Sequence, residues 1–468
     1  MSRTYPYADR FPVNRRLPQQ GRSRDDVLAE LATMASEEDA RWETGRCSGT
    51  MYCGDHEHYA FLTQAFGLFA HVNVLQRDMC PSATKFEGEI IAMALDLFHA
   101  GAVDDGEPAG MVTSGGTGSI LHAVLAYREH AARVRGIDRP NLVKPETAHP
   151  GFDKACHLFG VEKRVVPVDP ETTRVDVGRV AHAIDDNTVA IVGSATNYGY
   201  GTIDDIAALG EVATERDVGL HVDGCLGGFI LPFGEELGYD IPPFDFRVPG
   251  VTTISADTHK YGYALKGTST LLFRDKALRD AQYFLVPDWS GGKYASPGIE
   301  GSRSGGLLAS TWASMVHLGR DGYRRYAQEI FATADGMQGA VRSHPELTIM
   351  GSPTFCFSFR SDEFDIYHVM DAMRPKGWRF NGQQYPNAIH MAVTRPQTQA
   401  GVVEAFAADL AEAVEHAKAK HAAGEAPFSA AIYGGVVGGL DEEAEELIAA
   451  VMTGMLDEQQ SLPPEPTG

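Results

Sequence analysis

Short apolar runs alternate with amphipathic helical segments through the middle of the chain. The runs with the β-branched content of strands lie at 164–167, 189–194, 218–222, 252–256 and 270–273. Segments with helical periodicity, such as 206–216, separate them. This alternation predicts an α/β fold: a mostly parallel sheet with helices on both faces. In such folds, ligands and catalytic groups collect at the carboxyl ends of the strands.

Lys260 follows one of these strands, in the segment SADTHKYGY at 255–263. A lysine at the end of a strand can form a Schiff base when its ammonium is desolvated or faces another cation. Most lysines, however, are solvated surface residues. This segment alone does not decide between the two interpretations.

Three other segments carry groups suited to an anionic or aromatic ligand. The segment TSGGTGS at 113–119 opens a predicted helix, where backbone N–H groups and the helix dipole attract phosphate. Asp223 ends a strand before a glycine-rich turn, and His149 lies on another connection. Each also has an ordinary explanation, as a helix cap, a turn aspartate or a structural histidine.

Pyridoxal 5'-phosphate (PLP) requires this combination of groups. Its phosphate binds backbone donors at a helix N-terminus, its pyridinium nitrogen pairs with a carboxylate, and its aldehyde reacts with a lysine. A flat imidazole such as that of His149 can stack on the ring. The order along the chain is consistent, with Asp223 lying 37 positions before Lys260 (260 − 223). We therefore predict a PLP site.

The charge and cysteine content exclude several other classes of protein. With 63 acidic residues against 40 basic ones, the formal net charge is −23, which disfavours nucleic-acid and anionic-membrane partners. No stretch approaches the roughly 20 apolar residues of a membrane span, and no secretory signal is recognisable at the N-terminus. The six cysteines contain no CxxC pair, so neither disulfides nor a metal site is indicated. We predict a cytoplasmic protein without a membrane anchor.

The motifs around the predicted site also carry a family resemblance. The segments SADTHKYGYA (255–264), HVDGCLGGF (221–229) and TSGGT (113–117) resemble those of the group II decarboxylase superfamily of PLP enzymes, and within it the sphingosine-1-phosphate lyases. Further similar segments lie at 48–52, 294–297, 301–305, 376–378 and 431–434. The resemblance therefore extends over most of the chain, from about residue 42 to 456.

The resemblance implies a fold-type I homodimer with its active site at the subunit interface. Lys260 matches the Schiff-base lysine, Asp223 the pyridinium partner and His149 the stacking histidine. The other implied cofactor-binding residues are Cys225 behind the ring, His259 beside the lysine, Gly116 and Thr117 at the phosphate, and Gly301 and Ser302 on a loop from the neighbouring subunit. Lys260, His149, Tyr52 and Tyr294 are the implied catalytic residues.

On the substrate side, the resemblance assigns Lys266 to the anionic groups of the substrate. The lyases usually have a histidine that helps to bind the substrate's phosphate where this chain has Gln76, although the adjacent Arg77 could supply charge. Gly118 replaces a usual glutamate in the helix that begins the phosphate site. We expect Gln76, Arg77 and Lys266 to contact substrate.

The predicted reaction is retro-aldol cleavage of a phosphorylated β-hydroxy amine to an aldehyde and an aminoalkyl phosphate. The alternative is α-decarboxylation of an amino acid, since the same cofactor accepts electrons from whichever bond is held perpendicular to its ring. Tyr52 and Tyr294 favour the lyase, whereas Gln76 favours a different amine or amino acid. A binding protein without catalysis is disfavoured because Lys260 and Asp223 are both present.

The change in pattern along the chain predicts three parts. Residues 1–80 form an N-terminal arm and helices that contribute to the dimer and the active site, and 81–332 form the large PLP-binding domain. From about residue 333 onward, strands at 355–360 and 390–394 and a helix at 402–417 predict a smaller α+β domain. Its last residues, 462–468, read as a disordered tail.

Overall fold

A seven-stranded sheet forms the centre of the molecule. The structure is a computed structural model that describes residues 5–434 and 442–463. The strands are β1 (Ala109–Thr113), β2 (Asn141–Pro145), β3 (Glu162–Val166), β4 (Thr188–Ser194), β5 (Gly219–Asp223), β6 (Val251–Ala256) and β7 (Ser269–Phe273). They lie in the order β1-β7-β6-β5-β4-β2-β3, and only β7 is antiparallel to its neighbours. The predicted mostly parallel sheet is confirmed.

The strand directions bring the predicted site residues to one edge of the sheet. Because β7 is antiparallel to both β1 and β6, those two strands point the same way. The carboxyl ends of β1, β2, β5 and β6 therefore share an edge. The segments that leave this edge are 113–119 after β1, His149 after β2, Asp223 at the end of β5 and Lys260 after β6.

Helices cover both faces of the sheet and link it to the rest of the chain. They are α1 (Arg24–Asp39), α2 (His56–Leu68), α3 (Pro81–Leu97), α4 (Gly116–Arg135), α5 (Gly151–Phe159), α6 (Val177–Ala183), α7 (Ile206–Arg216), α8 (Leu231–Glu236), α9 (Lys276–Asp280), α10 (Gly305–Arg342), α11 (Tyr367–Met373), α12 (Val402–Ala422), α13 (Ala430–Tyr433) and α14 (Glu442–Gln459). Successive strand residues enter different cores: Leu272 packs in one, and Leu271 and Phe273 pack in the other. Burial on both faces explains why the strands read as continuous apolar runs.

The C-terminal part contains a second, antiparallel sheet. Its strands are β10 (Thr348–Ile349), β11 (Cys356–Arg360), β12 (Asn381–Gln383) and β13 (Ala388–Ala392), in the order β10-β11-β13-β12. A hairpin of β8 (Phe284–Val286) and β9 (Tyr294–Ser296) lies outside both sheets. The helix α10 runs through the predicted domain boundary at 332, so the division into three parts stays a prediction.

Two strands of the large sheet, β1 at its edge and β2 in its interior, were not predicted from the sequence. Part of β1 lies in the segment predicted to open α4, and β2 contains Lys144 and Pro145, which are unusual in an interior strand. The structure buries Lys144, whose Nζ lies 2.6 Å from Oδ2 of Asp153 on α5. That ion pair lets a charged residue occupy an interior strand. Of the predicted tail, residues 464–468 lie outside the described residues.

Candidate active site

A cavity of about 430 Å³ opens at the carboxyl edge of the large sheet. Six residues predicted from the sequence line it: Gly116, Thr117, His149, Cys225, His259 and Lys260. They come from four connections that the strand order brings together. The structure therefore unites most of the predicted cofactor-binding residues.

Lys260 is paired with a carboxylate that the sequence analysis did not select. Its Nζ lies 2.8 Å from Oδ2 of Asp257, three residues earlier on the same turn. Burial lowers the pKa of Lys260, but the charge and hydrogen bond of Asp257, together with the neighbouring Cys225 and Tyr52, raise it by more, so the group is an ammonium in the unliganded chain. The other oxygen of Asp257 is buried without a hydrogen-bond partner. The i, i+3 spacing before the lysine was the available signal for this residue.

The start of α4 approaches the cavity walls so closely that side chains are excluded. A Cβ atom added at Gly116 would lie 2.7 Å from Oδ2 of Asp257 and 3.1 Å from Sγ of Cys225. At Gly115, where φ is +134°, it would lie 3.2 Å from Cε1 of His259. The first N–H groups of a helix have no partner within the helix. The glycines therefore leave backbone donors open to a phosphate.

Asp223 is held in place by its neighbours on β5 and β6. Its Oδ1 accepts hydrogen bonds from the backbone N–H of Cys225 at 3.0 Å and from Oγ of Ser255 at 3.4 Å. Ser255 in turn lies 3.1 Å from Nε2 of His221. Burial lowers the pKa of His221 to about 4, so this imidazole is neutral at neutral pH. The result is a buried carboxylate with a fixed orientation.

The two histidines of the cavity differ in their hydrogen bonding. The backbone N–H of Gly151 donates to Nδ1 of His149 at 3.0 Å, which fixes the ring at the start of α5. Nδ1 of His259 is buried without a partner. Burial also lowers the pKa of His259. His259 therefore presents a neutral ring with an unused nitrogen.

A second cavity, of about 260 Å³, adjoins the first at His259, which lines both. It contains Tyr52 and Lys266, with Nζ of Lys266 4.5 Å from the centre of the Tyr52 ring. Nζ also donates to the backbone oxygen of Thr50 at 3.1 Å. Burial raises the pKa of Tyr52 to about 12. Partial burial and then the charge of Lys260 lower the pKa of Lys266 to about 8.

Comparison with known proteins places this geometry in a family. A family model described as the pyridoxal-dependent decarboxylase conserved domain matches residues 7–360. A sphingosine-1-phosphate lyase from Dictyostelium discoideum is 40% identical over 444 residues, covering 94% of this chain and 81% of its own length. The structure of a Burkholderia pseudomallei sphingosine-1-phosphate lyase is 59% identical, with a TM-score of 0.88 over 90% of this chain and 97% of that one.

The chain belongs to the pyridoxal-dependent decarboxylase family. It is therefore an enzyme, a lyase that depends on PLP, and the predicted fold type and cofactor are confirmed. A Lactobacillus brevis glutamate decarboxylase structure, 22% identical with a TM-score of 0.73 over 88% of this chain and 97% of that one, shares the fold. Within the described residues, none of the helices combines the length and apolar character needed to span a bilayer.

The residues of the first cavity fit the cofactor of this pyridoxal-dependent family. A helix start kept free of side chains suits a phosphate. The buried carboxylate of Asp223, which accepts from the backbone N–H of the wall residue Cys225, suits a pyridinium nitrogen. Lys260 supplies the amine that an aldehyde requires. The buried, unpartnered atoms Oδ1 of Asp257 and Nδ1 of His259 show that polar groups on the cavity wall remain unsatisfied by the protein itself.

Some of the predicted site residues do not line either cavity of a single chain. Those that line neither cavity are Asp223, Tyr294, Gly301, Ser302, Gln76 and Arg77. Asp223 is buried next to the first cavity, where it accepts a hydrogen bond from the backbone N–H of Cys225 on the cavity wall. Arg77 forms an ion pair with Glu87 on α3, and Tyr294 is exposed on β9. The resemblance assigns Gly301 and Ser302 to a neighbouring subunit. A single chain does not test these assignments, which stay predictions.

Proposed function

We propose that this enzyme cleaves a phosphorylated β-hydroxy amine of the sphingosine-1-phosphate type to an aldehyde and an aminoalkyl phosphate. The observation that carries the proposal is the second cavity, where the cation of Lys266 lies beside the phenol of Tyr52. A cation suits a substrate phosphate, and a protonated phenol suits a reacting oxygen or carbon. The names of the similar lyases support the same reaction.

The first cavity would hold the cofactor. In this arrangement Lys260 would bind the aldehyde, Asp223 would pair with the pyridinium nitrogen and the start of α4 would bind the phosphate, while His149 and Cys225 would contact the ring. When bound, PLP supplies an aldehyde that takes up the substrate amine and a ring that accepts electrons from the breaking bond. The ion pair with Asp257 holds the ammonium of Lys260 in the cavity, and Lys260 must lose a proton before its amine can bind an aldehyde.

The reaction also needs groups that move protons at the substrate. A base must remove the β-hydroxyl proton, and an acid must return a proton to carbon. With a pKa of about 12, Tyr52 keeps its proton at neutral pH and serves as a donor. Lys266 and His259 line the same cavity as Tyr52. Tyr294, on the exposed hairpin, is proposed for the site of a neighbouring subunit.

The pKa of Lys266 predicts how substrate affinity changes with pH. Lys266 binds an anionic group only while it is protonated, and this form is lost as the pH rises through about 8. We expect kcat/KM for the phosphorylated amine to fall above that pH. In Lys266→Gln, kcat/KM should be roughly tenfold lower at neutral pH and lack this falling limb, whereas Lys266→Arg should keep its affinity to higher pH. Pre-steady-state substrate binding and kcat/KM between pH 6 and 10 measure this. An unchanged falling limb in Lys266→Gln would exclude Lys266 from phosphate binding.

We also propose that the active form is a homodimer. The hairpin of β8 and β9 exposes Phe284, Leu285, Trp289 and Tyr294, with exposed fractions of 62%, 65%, 56% and 38%. Apolar residues clustered on one exposed hairpin favour burial by a second chain. If sedimentation experiments showed a monomer under conditions where the enzyme is fully active, the proposal would be contradicted. The cytoplasmic location stays a prediction.

A substrate panel tests the proposed reaction. The purified enzyme with PLP should form an aldehyde and an aminoalkyl phosphate in equal amounts from a phosphorylated long-chain amino alcohol. The same amine without its phosphate is the matched control, and it should react at least about tenfold more slowly because Lys266 then has no anion to bind. Release of carbon dioxide from an amino acid, with no aldehyde from the phosphorylated amine, would instead establish the decarboxylase.

A further inference from the structure

A buried histidine and a carboxylate join α4 to the loop that follows β9. His122 on α4 is fully buried, and its Nε2 lies 2.7 Å from Oε2 of Glu300. The hydroxyl of Ser114 donates to the other oxygen of Glu300 at 2.5 Å. Glu300 lines the same cavity as Lys260. None of these residues has a role in the reaction described above.

Both ring nitrogens of His122 are hydrogen-bonded to side chains. Nδ1 lies 2.8 Å from Oε1 of Gln282, whose amide nitrogen is directed to the sulfur of Met111 at 3.2 Å. The hydrogen bond from His122 lowers the pKa of Glu300 to about 2, against the opposing effect of burial. Glu300 is therefore ionised at neutral pH and can only accept, so Nε2 of His122 is the donor. The two residues form a buried hydrogen-bonded pair at the cavity wall.

The position of the Glu300 carboxylate is related to the glycine at position 118 of α4. A Cβ atom at Gly118 would lie 3.7 Å from Oε1 of Glu300. Residues 118 and 122 are i, i+4 neighbours on one face of α4, so a glutamate at 118 would be able to reach His122 from within the helix. This chain has a glycine there and takes the carboxylate from a separate loop. The hydrogen bond between His122 and Glu300 consequently holds that loop against α4.

We propose that Glu300 is a positioning residue for PLP, which fastens the loop after β9 to the helix start that receives the phosphate. One oxygen of the carboxylate accepts from His122 on α4 and the other from Ser114 just before α4, so Glu300 holds the loop and the helix start together. This inference rests on the proposed placement of the phosphate at the start of α4. It adds to that placement a residue that controls cofactor affinity without contributing to the chemistry.

Moving the carboxylate between its two possible positions tests the proposal. The readout is the dissociation constant of PLP, measured by titrating apoprotein and following absorbance and quenching of tryptophan fluorescence. Glu300→Ala should weaken PLP binding at least about tenfold, because the loop is released and the buried Nε2–H of His122 is left without its acceptor. Gly118→Glu in the Glu300→Ala background should restore affinity to within about threefold of the original chain, since the carboxylate reaches His122 again.

The substitution at 118 is compatible with the local packing. The nearest atom to an added Cβ is the hydroxyl oxygen of Ser114, at 2.7 Å, and this hydroxyl can rotate once Glu300 is removed. Gly118→Glu alone should weaken PLP binding, because a second carboxylate then competes with Glu300 for Nε2 of His122 and adds negative charge beside the phosphate site. Glu300→Gln, which keeps the size of the side chain but loses its charge, should fall between Glu300→Ala and the original chain.

Glu129→Ala is the matched control, since Glu129 lies on the same helix and the charge change is equal. Its PLP affinity should not change. Unaltered affinity in Glu300→Ala, or a double variant that binds no better than Glu300→Ala, would overturn the proposal. Thermal unfolding followed by circular dichroism identifies variants that fail to fold, and Glu300→Gln then provides the comparison. If the original chain itself bound no PLP, the proposed site would fail instead.

Discussion

Lys260→Ala is expected to abolish turnover and the covalent attachment of PLP. The amine that binds the aldehyde is then gone, and no other lysine lines the cavity. A loss of at least about a thousandfold in kcat is expected, the order seen when a covalent catalytic group is removed. After treatment with borohydride, the original protein should carry the reduced cofactor in its mass spectrum and the variant should not.

Two further variants separate the loss of chemistry from a loss of structure. Lys260→Ala leaves the buried carboxylate of Asp257 without its ion-pair partner, which by itself destabilises the site. Lys260→Arg keeps a positive charge beside Asp257 but does not provide the amine, so it should be equally inactive and more stable. Lys266→Ala is the control for the covalent readout and should retain the borohydride-fixed cofactor. The same mass increase in Lys260→Ala would assign the covalent bond to another residue.

Asp223→Asn is expected to reduce kcat by about a thousandfold while leaving the chain folded. The carboxylate keeps the pyridinium nitrogen charged, and the charged ring accepts electrons from the breaking bond far better than a neutral one. Asparagine has nearly the same shape and its side-chain oxygen still accepts from the backbone N–H of Cys225. The variant should therefore bind PLP, and its mass spectrum after borohydride should resemble that of the original protein.

The control for Asp223→Asn is a variant that removes a carboxylate away from the candidate site. Asp186 is exposed before β4, and Asp186→Asn should keep full activity. Asp223→Glu keeps the charge at a shifted distance and should recover part of the lost rate. If Asp223→Asn retained more than about a tenth of the original kcat, the proposed pairing with the ring nitrogen would be wrong, since one lost charged hydrogen bond is worth more than this.

Much of the large sheet was predictable because its strands are buried on both faces. Apolar runs for β4, β5 and β6 predicted these strands to within about two residues, and 206–216 agrees with α7. The strand β2 was missed because its charged Lys144 is neutralised by Asp153, which is eight positions beyond the end of that strand. The antiparallel direction of β7 was also missed, since a strand's periodicity carries no information on its direction.

The site shows the same division between local and distant interactions. Lys260, Asp223 and the start of α4 were predictable because each lies directly where a strand ends, and the edge of a parallel sheet brings such ends together. Asp257 was missed although it is only three residues from Lys260, because an aspartate on a turn is common without any function. Glu300 was missed because its loop has no regular periodicity.

By itself the sequence determined the fold class and the family and predicted the groups proposed to hold the cofactor, since these depend on local patterns of apolar residues and on short motifs. Only the tertiary structure decided which polar residues pair with each other: Lys260 with Asp257, and His122 with Glu300, which is 178 positions away. Buried charges need partners wherever the fold brings one within reach. That proximity depends on how helices and loops pack around the sheet, and no periodicity of the chain encodes it.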